Sequence, residues 1–480
     1  MDLIRQFNRL AGENKSLIQK ALTSASGVGE ALVPQHLEQV ITDALPRLSP
    51  ALAMIEPKFD NQKYHEFNRL ITLPGGGGAM GEGATTPTYS PAFQRTGVYM
   101  KVIRRKGSTT DFLQDASKKN IDAAATNIEA NMLAHVYDLE NYIMYGNAVA
   151  NPYEFSGLDT FVLTNRSNQA VGGAVPTSLN VLDNLIDTNL DYQGMSHKKA
   201  FIMSPYMLSK FSQLLTNVRL NQGLQGNMTQ VDVAGGWRLN AYRDIPIIVS
   251  SACRPKTICG TVTPADVTDG GTVADSGTWY IRVAAVTRDG EQIASAEATA
   301  TTGTGGAADA HAISLTFTPI AGAFRYKVYT GTVSGTLTLK RVAPAFAYDA
   351  NGTIAASETD VITTGLSVTS NASGVVNVIT ITSNPVIQDT TVPSGMESDV
   401  PYTNGITNPE ETIFFWDLDE YQGLGRLAYT NEGGSRFNGL VTFEDLAKTD
   451  DYLPFMIKTY CALADSFEKT CAIARGYKVA

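Results

Sequence analysis

No apolar stretch of this 480-residue sequence reaches the ~18 residues that a membrane-spanning helix requires, so no helical span is expected. The opening segment, MDLIRQFNRLAGENKSL, mixes charges and lacks the apolar centre of a secretory signal. Cysteine is scarce: Cys253, Cys259, Cys461 and Cys471 form no C-x-x-C pair and have no neighbouring histidine. That excludes a disulfide framework and a zinc ribbon, and leaves scattered reduced thiols as the expectation. Charge is also sparse, at 18% of residues against the usual ~25%. Its balance is acidic, with 37 Lys and Arg against 47 Asp and Glu, a net charge of -10. Phosphate backbones are bound by clustered cations, so direct nucleic-acid recognition is a poor fit.

Catalytic and metal-binding patterns are missing too. His36, His65, His135, His197 and His311 show no i, i+3 or i, i+4 pairing, so helical metal-site spacing is absent. No G-x-S-x-G elbow occurs. Asp417, Asp419 and Glu420 crowd together, but their spacing matches no calcium loop, and a solvated turn is the expectation. The run PGGGGAMGEG invites a phosphate-cradle reading. It fails, because Gly83 is followed by Ala84-Thr85-Thr86-Pro87, with neither the lysine nor the helix that a phosphate needs. No cofactor and no catalysis are expected.

Hydrophobic residues make up 43% of the chain, enough for sizeable cores. In GEALVPQHLEQVITDAL, Leu37, Val40, Ile41 and Leu45 share one helical face between Pro34 and Pro46. Residues 61–107 read as two strands, KYHEFNRLITL and GVYMKVIRRKG, joined by the glycine-rich run. A two-stranded ribbon is marginal alone in water and offers open edges, so it is expected to rest on another molecule. Thr110 or Asp111 caps a short helix. Beyond it Ile121, Ala125, Ile128, Met132, Val136, Leu139 and Ile143 recur at steps of three and four, predicting a helix over 119–145 with Gly146 as its stop. Residues 177–256 alternate helix and strand. From about 260 to 370 the helical period vanishes. Trp279, Ile281 and Val283, then Ile313, Leu315 and Phe317, then Phe324, Tyr326 and Val328, alternate as strands of a β-sandwich. Strand patterns return over 411–480.

This order of elements resembles the major capsid proteins of tailed bacteriophages, of the Hong Kong 97 type. The similar stretches are TTDFLQDASKKNIDAAATNIEANMLAHVYDLENYIMYGN, SGLDTF, KKAFIMSPYMLSKFSQLL, YRDIPIIVSSACRP, TIFFWDLDEYQGLGRLAYT and the closing GLVTFEDLAKTDDYLPFMIKTYCALADSFEKTCAI. The resemblance implies an α+β fold with an N-terminal arm (1–60), an extended loop (61–107), a peripheral domain with a spine helix (108–176), an axial domain (177–259) and closing strands (411–480). Residues 260–370 depart from that fold and look like an inserted fibronectin type III or immunoglobulin-like sandwich; 371–410 are assigned to neither. By the same resemblance Gly75, Gly76, Gly77, Gly78, Gly81 and Gly83 tip the extended loop over a neighbouring subunit. Lys101, Arg104, Arg105 and Lys106 are expected to pair with a partner's carboxylates. Ile121, Ile128, Met132, Val136, Leu139 and Ile143 pack the spine.

The implied function is a self-assembling icosahedral shell of hexamers and pentamers enclosing DNA without sequence-specific binding. The implied partners are a portal, a separate scaffolding protein (the sequence opens at Met1) and a decoration or cement protein. Assembly is expected in the bacterial host cytoplasm, with no membrane partner. An adhesive surface protein with an immunoglobulin-like module is the competing reading, and an enzyme with such an accessory domain is a third. The insert is expected to face outward, and deleting Ala265 to Ser370 with a short Gly-Ser linker is expected to leave a remainder that still folds.

Overall fold

A computed structural model describes residues 51–479 except 61, 76–78, 80, 86–87, 118–121, 170, 189–197, 223–227, 234–236, 305–309, 350, 364, 420–423, 430–440, 449 and 465–466. The arm up to residue 50, its short helix, Gly76, Gly77, Gly78, Ile121 and Glu420 therefore lie outside the described residues. The chain divides into two compact units. In one, Ser108–Asn127 joins Lys448–Leu453; the other holds Pro46–Gly107, Ile128–Ala447 and Pro454–Ala480. In the first unit Thr110 accepts from the Leu113 amide at 3.3 Å and so caps the helix Asp111–Ser117. Lys448 pairs with Asp111, whose amide donates to the Asp451 carbonyl at 3.1 Å.

The long helix runs Ala123–Tyr145, about 35 Å at 1.5 Å per residue. Asp122 starts it by accepting from the Ala125 amide at 3.0 Å. Gly146 follows it, and only glycine fits there: a Cβ would stand 2.5 Å from the Tyr142 carbonyl oxygen and strike that of Phe155.

In the larger unit a seven-stranded sheet has the spatial order Arg166–Asn168, Ala472–Lys478, Glu410–Asp417, Lys199–Met203, Ile245–Val249, Trp237–Tyr242, Met228–Val233. Strand 410–417 follows the sandwich in sequence yet lies beside 199–203, which precedes it, so the chain crosses the sandwich before closing this sheet. Strands Lys199–Met203 and Glu410–Asp417 are buried on both faces, which is why AFIM and TIFFW read as near-continuous apolar runs. Ile202, Phe414, Trp416 and Ile473 share a core with Leu139 and Ile143 of the long helix. The alternate residues Phe201, Met203, Ile413 and Phe415 pack with Leu182, Leu185, Met207 and Phe211 of helices Asn180–Asp187 and Pro205–Gln222.

Residues 263–381 form two antiparallel five-stranded sheets around a shared core of Trp279, Ile281, Val283, Ile313, Leu315, Tyr326 and Val328. Strand Val376–Ile381 pairs with both Ala312–Thr316 and Leu366–Ser370. The sheet holding Thr278–Thr287, Arg325–Val333 and Thr336–Pro344 is buried on its second face as well. There Ala284, Tyr329, Leu337, Leu339 and Val342 pack with Ala150, Leu163, Val392 and Met396. Residues 383–399 run along strand 336–344 and cover its open edge. The Leu339 amide donates to the Asp399 carbonyl at 3.2 Å, the Asp389 amide to the Lys340 carbonyl at 3.2 Å, and Arg341 to the Ile387 carbonyl at 2.8 Å.

Candidate functional site

The ribbon pairs Tyr64–Thr72 with Ala92–Tyr99, with Tyr64 opposite Tyr99 and Leu70 opposite Phe93. Its register is locked near the base. The Tyr64 and Tyr99 rings lie 4.5 Å apart, and a Cβ on Gly97 would meet the His65 carbonyl oxygen at 2.5 Å. This end is anchored: Met100 is buried in the main core and Val98 packs against it. The far end is not. Leu70, Ile71, Leu73 and Phe93 are 52, 54, 76 and 69% exposed. Four large apolar side chains at one end of a two-stranded element are more than scattered surface residues, and such a patch marks a contact surface. At the tip, Gly83 has φ +81°, a conformation other residues adopt at a cost, and a Cβ on Gly75, Gly81 or Gly83 would have nothing within 4 Å.

The cationic strand Lys101–Thr110 divides by face. Lys101 donates to the Pro152 carbonyl at 2.6 Å and Arg105 pairs with Asp138, so both are engaged within the chain. Val102, Arg104 and Lys106 alternate with them and are exposed. Along the long helix Ile128 and Met132 are partly buried against the core and Val136 is half-buried; Leu139 and Ile143 are fully buried. His135 is buried too, 2.8 Å from the Thr459 hydroxyl, and burial depresses its pKa to about 4, so it is neutral at pH 7.

A second stripe on this helix was not legible as one. Asp138, Asn141 and Tyr145 face the hairpin at 287–290. Arg288 donates to Asp138 at 2.6 and 3.0 Å, Asn141 to the Thr287 carbonyl at 2.6 Å, and Tyr145 to the Ala252 carbonyl at 2.5 Å. The spacing i, i+3, i+7 was there to be read, but polar side chains on a helix are solvated by default. Asp417 corrects a second expectation: it is fully buried, not part of a solvated turn, and accepts from the Asp419 amide at 3.0 Å.

Glu140 ties the long helix to the helical turn Ala51–Met54. Buried, it accepts from the Ala51 amide at 3.0 Å and the Leu52 amide at 3.4 Å, while the Ser250 hydroxyl donates at 3.5 Å. Burial pushes its pKa up to about 7 despite these donors, and burial does the same to Glu411. A carboxyl whose folded value exceeds the unfolded 4.5 favours folding below pH 4.5, and that contribution is lost as pH rises to about 7. Melting temperature should therefore fall between about pH 5 and pH 8. Glu140→Gln, which keeps an acceptor for the amides, should recover about 1–3 kcal/mol at the alkaline end and little at the acid end, as calorimetry would show.

All four cysteines are buried and none forms a disulfide, and burial pushes Cys253, Cys259 and Cys461 above the usual thiol range. Among the described residues no group of three or more His, Cys, Asp or Glu is placed to hold a metal, and no helix is long and apolar enough to cross a membrane. The arrangement offers an apolar ribbon anchored at its base and open at its far end.

Residues 16–238 match the family model described as SU10 major capsid protein. No curated protein sequence matches the chain. Among solved structures, the cyanophage A-1(L) capsid asymmetric unit is 9% identical, covering 95% of this chain and 98% of its own, with a TM-score of 0.46. The capsid of the empty GTA particle is 10% identical, with coverage of 95% and 99% and a TM-score of 0.45. The holo-SrpI encapsulin complex from Synechococcus elongatus PCC 7942 is also 10% identical, with coverage of 95% and 97% and a TM-score of 0.42. Likenesses this distant carry no weight in the functional reading beside the family match and the ribbon.

Proposed function

We infer that this chain, matched over residues 16–238 by the SU10 major capsid protein family, is a phage major capsid protein that closes with its own copies into an icosahedral shell and so resides in the virion. The observation that carries the reading is the ribbon: its base is built into the core while its apolar end, Leu70, Ile71, Leu73 and Phe93, is left for another copy to bury. Many modest contacts of this kind sum through closed symmetry. Arg104 and Lys106, the exposed cations of their strand, would pair with a neighbour's carboxylates in place of the engaged Lys101 and Arg105. The uncrowded tip at Gly75, Gly81 and Gly83 would lie against that neighbour.

Hexamers and pentamers, a portal, a separate scaffolding protein and a decoration protein complete the proposed assembly, with the genome enclosed rather than read. The role is structural, not catalytic. We read the two-sheet module as immunoglobulin-like on the strength of its antiparallel sheets and shared apolar core. Purified full-length chain should sediment as large closed particles visible by negative-stain microscopy; a chain that stays monomeric under every assembly condition would contradict the reading.

A further inference from the structure

Six ionisable side chains meet where the sandwich, the segment after it and the seven-stranded sheet come together. Lys327 of strand Arg325–Val333 lies 2.9 Å from Asp159 and 2.8 Å from Glu291. Arg475 of the C-terminal strand lies 3.0 Å from Glu291 and 2.5 Å from Asp399. Arg166 lies 2.6 Å from Asp399 and 3.0 Å from Asp159. Every one of these side chains is between 0 and 4% exposed. Three cations face three carboxylates, so the complete cluster is neutral and losing any single member unbalances it. Burial disfavours the charged carboxyls, yet the surrounding cations hold both Asp159 and Asp399 below the usual carboxylate range. A buried cluster of this kind adds little net stability over apolar packing, but removing one member leaves an uncompensated charge in a dry site.

The sources of the six matter. Asp159 and Arg166 precede the sandwich, Glu291 and Lys327 belong to it, Asp399 follows it, and Arg475 lies in the last strand, paired at once with 410–417 and 166–168. Tyr329 of the sandwich donates to Glu291 and accepts from Arg475 at 3.2 Å, extending the same join. We propose that Glu291 and Lys327 complete a charge-balanced latch through which the docked sandwich controls seating of the C-terminal strand in the seven-stranded sheet. The sandwich is then a closing part of the subunit, and charge balance is the condition for closure.

The test compares full-length wild type with Lys327→Met, Glu291→Gln and the double variant, reading amide hydrogen exchange over 472–478 and soluble yield. Lys327→Met leaves two cations against three carboxylates, and Glu291→Gln leaves three against two. Each single change should speed exchange in that strand by about a hundredfold or send the chain into the insoluble fraction. The double variant, two against two, should be soluble and exchange within about tenfold of wild type, a non-additive recovery. Single variants that behave as wild type, or a double variant as damaged as the two changes summed, would overturn the latch. Neither readout requires particles, so a failure of shell assembly would leave this test standing.

Discussion

Replacing residues 73–91 by a short turn should leave a folded, soluble chain that no longer assembles. The described part of that stretch contributes nothing to the subunit's own core. Leu73 is 76% exposed, and Gly75, Gly81 and Gly83 have open space around them. The pairing of 64–72 with 92–99, the Tyr64–Tyr99 contact and the buried Met100 all lie outside the deletion. What is lost is contact area for a neighbour. Burying one large apolar side chain contributes about 1.5–3 kcal/mol, and 1.4 kcal/mol is tenfold in an equilibrium constant. Even after the cost of ordering the loop, assembly should fall by well over tenfold, while the melting temperature of the dissociated subunit barely moves. Leu70→Asp with Phe93→Asp should reproduce the loss with no residue removed, since these two side chains are cross-strand partners on the exposed end. Sedimentation velocity and thermal melting together check both variants. Intact assembly of either one would remove the ribbon from the account.

Deleting Ala265 to Ser370 should yield insoluble protein, contrary to the expectation for an outward module on a tether. Three losses compound. Strand Val376–Ile381 loses both of its neighbours, exposing Val376, Ile379 and Ile381. Glu154 loses Arg325, whose guanidinium pairs with it at 2.5 Å with both side chains buried; stranding one member of such a pair costs about 3–5 kcal/mol. Ala150, Leu163, Val392 and Met396 lose the apolar face that covers them. Against a typical stability of about 5–15 kcal/mol, these losses exceed what a domain tolerates. A soluble deletion product with a wild-type-like melting temperature would show that the sandwich is an independent appendage.

The contrast between these two predictions shows where sequence reasoning reached and where it stopped. The ribbon was legible because two strand-like runs joined by a glycine run too long for a turn can be seen without knowing burial, and a two-stranded element lacks support of its own. The sandwich strands were legible for the same reason: Trp279, Ile281 and Val283 declare one face. Their opposite face misled. Arg325 and Lys327 alternate with Phe324, Tyr326 and Val328, which in a half-exposed sheet places the charges in water. Here they are buried against Glu154 and Asp159, partners some 170 residues earlier. Periodicity reports which side chains share a face and says nothing about what covers that face. The hairpin Met228–Tyr242 was missed although WRLNAY alternates Trp237, Leu239 and Ala241 with Arg238 and Asn240. Asp138 and Asn141 escaped because a polar helix stripe has solvent as its default neighbour.

The central claim is that the far end of the ribbon finds its packing on another copy of the chain. A three-dimensional reconstruction of the native particle, at a resolution that traces residues 64–99, tests it most directly. The account predicts Leu70, Ile71, Leu73 and Phe93 enclosed by a neighbouring subunit. A ribbon left in solvent, or laid against its own polypeptide, would contradict it.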